Sequence, residues 1–159
     1  MLKVVSNTTP IISLLKIGKL ELLRKIYGKI IVPRAVYNEV NAGINKSYYL
    51  DLNKLDWIEI KEIENKKSLH FFIDLDAGEA EVIVLASELD ADLVIIDETL
   101  GRKFAMNNEL KVTGTIGVLL KAKELGFIEN VTSLIDLLIY NGIWISAKLR
   151  QTIIDKANE

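Results

Sequence analysis

With 159 residues, 50% of them hydrophobic and 26% charged, the chain has the make-up of one globular domain able to bury its own core. The lack of cysteine excludes disulfides, thiolate-bound metals and cysteine nucleophiles. A net charge of −2 gives no overall case for a nucleic-acid binder.

The opening stretch, MLKVVSNTTPIISLLKIGKL, is broken by polar side chains and has no small-residue cleavage site. It reads as the first strand and helix of a cytoplasmic protein rather than as a signal peptide. No apolar run reaches the roughly 18 residues of a membrane span, so no membrane association is expected. LKVVS (2–6) is a β-branched run of the buried-strand type. A helix follows, with Thr9 as N-cap, Pro10 at its first position and Gly18 at its end. KLELLRKIYG is a second amphipathic helix closed by Gly28. KIIVP is a strand, and Pro33 opens a helix through RAVYNEV. Residues 41–56 show no period.

WIEIKEI (57–63) alternates apolar and polar, as an edge strand does. LDAGEAEVIVLASEL is a helix, ADLVIID a buried strand, ETLGRKFAMNN a helix, LKVTG a short strand, and TIGVLLKAKELG a helix closed by Gly126. Two further helices are expected near 131–140 and 146–158. Alternating strands and helices argue for one α/β domain over 1–159, built on a mainly parallel sheet of about four or five strands covered on both faces. In 131–145, Ile139, Tyr140, Ile143 and Trp144 are expected in the core, with a dimer surface as the alternative.

Charge is unevenly spread. Residues 1–34 hold seven Lys/Arg against one Glu, and residues 51–100 hold fourteen Asp/Glu against four Lys. The division suits an acidic centre flanked by phosphate-holding bases, and equally suits solvated helix faces.

Four residues break the amphipathic pattern. On a helical wheel Glu79 falls in the middle of the apolar arc, between Ala86 and Ile83, while Glu81 and Glu88 share the opposite, solvent side. Glu39 likewise falls between Ala35 and Val36. An inward carboxylate is costly unless it is paired or bound to a cation. Asp97 ends the run LVII, and Asn7 holds the matching place after the first strand. If the two strands are parallel neighbours, both project into one crevice. Structural alternatives exist for each: helix caps for Asn7 and Asp97, dipole compensation for Glu79, and a buried ion pair for Glu39.

Hard oxygen donors without Cys or a His cluster suit Mg²⁺ or Mn²⁺ and not zinc. Such ions catalyse phosphodiester hydrolysis by activating water and stabilising the leaving oxygen. The lone His70 is read as a packed or surface residue.

The order Asn7–Thr8–Thr9, Glu39 in VPRAVYNEV, Glu79 in DAGEAEVIVLA and Asp97 in VIIDETLGR resembles a PIN domain over roughly 2–150. It is similar above all to a prokaryotic PIN subgroup carrying GEAE, DETLGRKFA and VTGTIGVLLKAKELG. The resemblance implies a Rossmann-like sheet and a Mg²⁺- or Mn²⁺-dependent ribonuclease. It also implies RNA as substrate, and a homodimer acting as toxin beside an antitoxin in a VapBC-type pair. It places the four-acid site on Asn7, Glu39, Glu79 and Asp97, with Glu98 as an adjacent stand-in ligand for Asp97. Thr9 would orient the site, and Arg102 would contact phosphate or pair with an acid. Lys103, Lys16, Lys19 and Arg34 are further candidates for holding phosphates.

The departure is Asn7, where the family most often has aspartate. An amide oxygen coordinates Mg²⁺ without adding charge, so an Asn7→Asp variant is expected to bind cation more tightly. The alternative is a weakened or inactive PIN-fold module that binds RNA or a protein partner. A nucleotide-binding enzyme or phosphatase fares worst, because GxGxxG and GxxxxGK[ST] are missing and SNTTP lacks the paired aspartates of a haloacid-dehalogenase phosphatase.

Overall fold

A computed structural model describes residues 1–159. The strands are β1 (Val4–Ser6), β2 (Ile30–Pro33), β3 (Ile58–Lys61), β4 (Leu93–Ile95) and β5 (Val112–Thr113). They form one sheet in the order β3-β2-β1-β4-β5, and every neighbouring pair is parallel. β1 and β2 are buried along their whole length, which explains their unbroken apolar runs. β3 is an edge strand whose last three residues are half-exposed, as its alternating sequence anticipates.

The helices are α1 (Thr8–Lys16), α2 (Glu21–Tyr27), α3 (Arg34–Asn41), α4 (Ala77–Glu88), α5 (Thr99–Asn107), α6 (Thr115–Glu124), α7 (Val131–Tyr140) and α8 (Ala147–Lys156). α4 packs on α3, α5, β1 and β2. It buries everything from Gly78 to Ala86 except Glu81, so it is wrapped on nearly all sides. Glycines at positive φ end α2 and α6 as expected: Gly28 at 81° and Gly126 at 80°. The result is a Rossmann-like α/β fold with a five-stranded parallel sheet and a core of 37 buried hydrophobic residues.

α1 begins at Thr8, two residues before the expected start at Pro10, with Asn7 rather than Thr9 in the N-cap position. Pro10 is therefore the third helical residue, where its missing N–H is still one the helix leaves unused. The aperiodic stretch 41–56 contains a 3₁₀ turn at Leu52–Lys54, and a second occupies Lys66–Phe72. His70 is exposed on the latter.

Expected core packing fails at two aromatic residues. Tyr140 is 87% and Trp144 85% exposed, because both lie where α7 ends and the chain turns toward α8. Ile143 packs partly against the core, while Ile139 is exposed.

Glu159 closes the C-terminal pair of helices. Its carboxylate accepts from the Val131 and Thr132 N–H groups at 2.6 and 2.8 Å, and from Lys123 Nζ at 2.8 Å. Burial opposes its ionisation. The Lys123, Thr132 and backbone hydrogen bonds outweigh that and hold its pKa at about 2.

The strand order sets the position of the site. From β1 the chain runs outward through β2 and β3, then returns to add β4 and β5 on the other side of β1. The connections leaving β1 and β4 thus diverge, and the crevice between them opens at the C-terminal ends of the strands.

Candidate functional site

Asn7 follows β1 directly, and its N–H donates to Ile95 O of β4 at 2.9 Å. It is 2% exposed. Although it stands in the N-cap position of α1, its side chain makes no capping hydrogen bond. Nδ2 donates instead to Glu98 Oε2 at 3.2 Å, and Oδ1 is buried with no partner at all. A buried acceptor of this kind is rare enough in folded proteins to demand a cause.

Glu39, the sixth residue of α3, meets no Lys or Arg. One carboxylate oxygen accepts from the Thr8 hydroxyl, and the other from the Gly78 N–H at 3.1 Å. The buried ion pair considered for it is therefore replaced by the first turns of α1 and α4. Helix N-termini favour carboxylates in this way.

Glu79 is the third residue of α4 and is 7% exposed. Asp76 caps that helix, accepting from the Glu79 N–H at 2.8 Å. The Glu79 side chain is left among acids. Burial first, then Asp76, Glu98 and Glu39, push its pKa up to about 8. A carboxyl so perturbed, in a crevice and among other acids, is a candidate for a functional centre.

Asp97 and Glu98 follow β4 and turn in different directions, as successive residues of extended chain do. Asp97 faces the start of α6, where Thr115 donates to it twice, from N–H at 2.7 Å and from Oγ1 at 2.6 Å. Burial raises its pKa, Thr115 and Arg102 counteract that, and Glu98 adds to it. Arg102 Nη1 donates to Ile96 O at 3.0 Å, beside Asp97. Glu98 accepts from Asn7 and, at 2.5 Å, from Thr9 Oγ1. Asn7 and Asp97 thus follow the C-terminal ends of neighbouring parallel strands, but it is Glu98 that Asn7 touches.

Three glycines fit under these carboxylates. A Cβ at Gly78 would lie 2.6 Å from Glu39 Oε2, at Gly101 2.7 Å from Glu79 Oε2, and at Gly114 2.5 Å from Asp97 Oδ1. Thr8, Thr115 and these glycines are site components that sequence reasoning passed over. The only signal in the sequence was the glycine near the start of each of α4, α5 and α6; which acid each glycine meets is set by the tertiary structure.

The basic candidates are more scattered. Lys103 is exposed beside Arg102 in α5. Lys16 sits over the Tyr48 ring at 5.6 Å, and Arg34 over Tyr37 at 5.4 Å with Glu62 at 3.8 Å. Lys19 lies two residues before α2 and lines a surface pocket with Phe127 and Glu129.

Every candidate donor is an oxygen, the chemistry of a hard divalent cation, and Asn7 Oδ1 offers such an ion an open acceptor. The donor types fit. The side chains as they stand form no ready cage, since no three His, Asp or Glu groups gather closely enough to hold an ion. Neutral donors hold Glu39, Asp97 and Glu98 instead.

The family model of the PIN domain matches residues 3–159. Neither the curated proteins nor the solved structures contain a significant match. No helix is long and apolar enough to cross a membrane. With the five-stranded parallel sheet, the switch point beside β1 and the acids placed there, this match over nearly the whole chain is decisive: the chain belongs to the PIN-domain family.

Proposed function

We infer that the chain is a Mg²⁺- or Mn²⁺-dependent ribonuclease in which Asn7, Glu39, Glu79 and Asp97 hold the cation. One observation carries this reading: Asn7 Oδ1 is buried at the end of the central strand with no hydrogen-bond partner. An unmet acceptor costs of order 1–3 kcal/mol, and a cation is the partner that nearby carboxylates would share with it. When bound, such an ion supplies Lewis-acid stabilisation to a phosphodiester and its leaving oxygen.

The chain's own groups do the rest. Thr8 and the Gly78 N–H aim Glu39, Thr115 aims Asp97, and Glu79 would hold the ion in its deprotonated form, losing its proton to solvent. Arg102 and Lys103 are the bases closest in sequence to Asp97 and would position RNA phosphates. Family resemblance supports a toxin role beside an antitoxin. The exposed Tyr140 and Trp144 support a homodimer.

Purified protein should cleave structured RNA with Mn²⁺, and Glu79→Gln or Asp97→Asn should abolish that cleavage. Equal activity in these variants would overturn the reading. The neutral Asn7 and the lack of a ready cage favour a second one, a PIN-fold module that binds RNA or protein without cutting. Failure of the wild type to bind Mn²⁺ at millimolar concentrations would select it.

A further inference from the structure

Asn7 and Glu98 form a pair across the switch point. Nδ2 of Asn7 donates to Glu98 Oε2 at 3.2 Å, and Thr9 Oγ1 donates to Glu98 Oε1 at 2.5 Å. Both carboxylate oxygens are therefore turned to donors on the β1–α1 junction. Glu98 occupies the N-cap position of α5 but makes no capping bond there, so its side chain is committed to Asn7 and Thr9.

A carboxylate only accepts, and an amide has one donating and one accepting end. Glu98 can meet Asn7 through Nδ2 alone. The reverse orientation would set the amide oxygen against a carboxylate oxygen inside a site where Asn7 is 2% exposed. Glu98 thus decides which end of the amide is left over, and the end left over is the unpartnered Oδ1.

We propose that Glu98 is a positioning residue for Asn7: it grips Nδ2, presents Oδ1 as the cation donor, and carries from β4 the negative charge that residue 7 lacks. The Asn7–Glu98 pair then does what one aspartate would do, with charge and donor atom divided between two strands. The cation part of this assignment rests on the nuclease reading; the amide orientation does not.

The consequence differs from simple charge counting. Asn7→Asp would place a second carboxylate beside Glu98, replacing a hydrogen bond with repulsion. The charge gained is lost again to strain between the two acids. Exchanging both partners, Asn7→Asp with Glu98→Gln, keeps the net charge and restores a donor between the two positions.

The test starts without cation. In the full chain labelled with ¹⁵N, the Asn7 side-chain NH₂ signal is identified by its loss in Asn7→Asp. It should be displaced from free-amide values and slow to exchange in the wild type, and should return to free-amide behaviour in Glu98→Ala. An Asn7 signal that Glu98→Ala leaves unchanged would overturn the proposal, whether or not the protein is a nuclease.

Mn²⁺ binding is then followed by the electron paramagnetic resonance of free Mn²⁺. Glu98→Ala should weaken binding by about tenfold, the usual scale for losing a group that orients a ligand. Asn7→Asp alone should bind no more tightly than wild type, and the double exchange should recover wild-type affinity. Tighter binding by Asn7→Asp alone, or a double variant no better than the weaker single one, would also overturn it. If the wild type binds no Mn²⁺, the nuclease reading fails while the amide signal still decides the orientation.

Discussion

Glu79 shows how one side chain couples stability to ion binding. Burial and the neighbouring Asp76, Glu98 and Glu39 hold its pKa at about 8, against 4.5 for an unhindered glutamate. Between those two values the folded protein keeps a proton that the unfolded chain gives up. Stability is thus fully present below about pH 4.5 and is lost as pH rises to about 8. In the presence of a chelator, thermal unfolding of the wild type should shift to lower temperature across that range, and Glu79→Gln should flatten the slope. A wild-type profile as flat as that of the variant would refute the assignment. Cation binding should show the opposite trend, tightening with pH as the proton becomes easier to expel.

Among the elements, the start of α4 has the sharpest conflict between local preference and site. Within a helix, Gly→Ala ordinarily gains about 1 kcal/mol. At Gly78 the added Cβ would lie 2.6 Å from Glu39 Oε2, the far end of a flexible side chain that can swing away. Gly78→Ala should therefore leave stability within about 1 kcal/mol of wild type while weakening Mn²⁺ binding by about tenfold. Denaturant unfolding and a Mn²⁺ titration measure the two effects separately. Unchanged affinity would mean that the glycine serves α4 and not Glu39. The same helix shows how far sequence pattern reaches. The wheel separates buried Glu79 from Glu81 and Glu88, but it gives no hint that Glu81 accepts from the Ala35 N–H at 3.1 Å and so caps α3.

For the molecule as a whole, the surface around the end of α7 is the least explained by folding alone. Tyr140 and Trp144 stand almost fully exposed, with Leu137, Ile139 and Leu149 also open to solvent. Two aromatic side chains this exposed are candidates for an interaction surface, and a second copy of the chain is the occupant the family resemblance favours. Light scattering coupled to size exclusion should give a dimer for the wild type and a monomer for Tyr140→Ser/Trp144→Ser. A monomeric wild type at micromolar concentration would remove the homodimer from the reading.

Sequence alone determined the alternation of strands and helices, the parallel sheet, the edge character of β3 and the inward acids at 39 and 79. These follow from periodicity and from glycine and proline positions, which act over a few neighbouring residues. It also carried the resemblance to PIN domains. The partners of those acids were decided only by tertiary structure: Thr8 under Glu39, Thr115 on Asp97, and Glu98, not Asp97, against Asn7. Each of these contacts joins segments far apart in the chain and depends on which side chain a strand end turns toward its neighbour. No local pattern encodes that choice, because the order and register of the sheet set it.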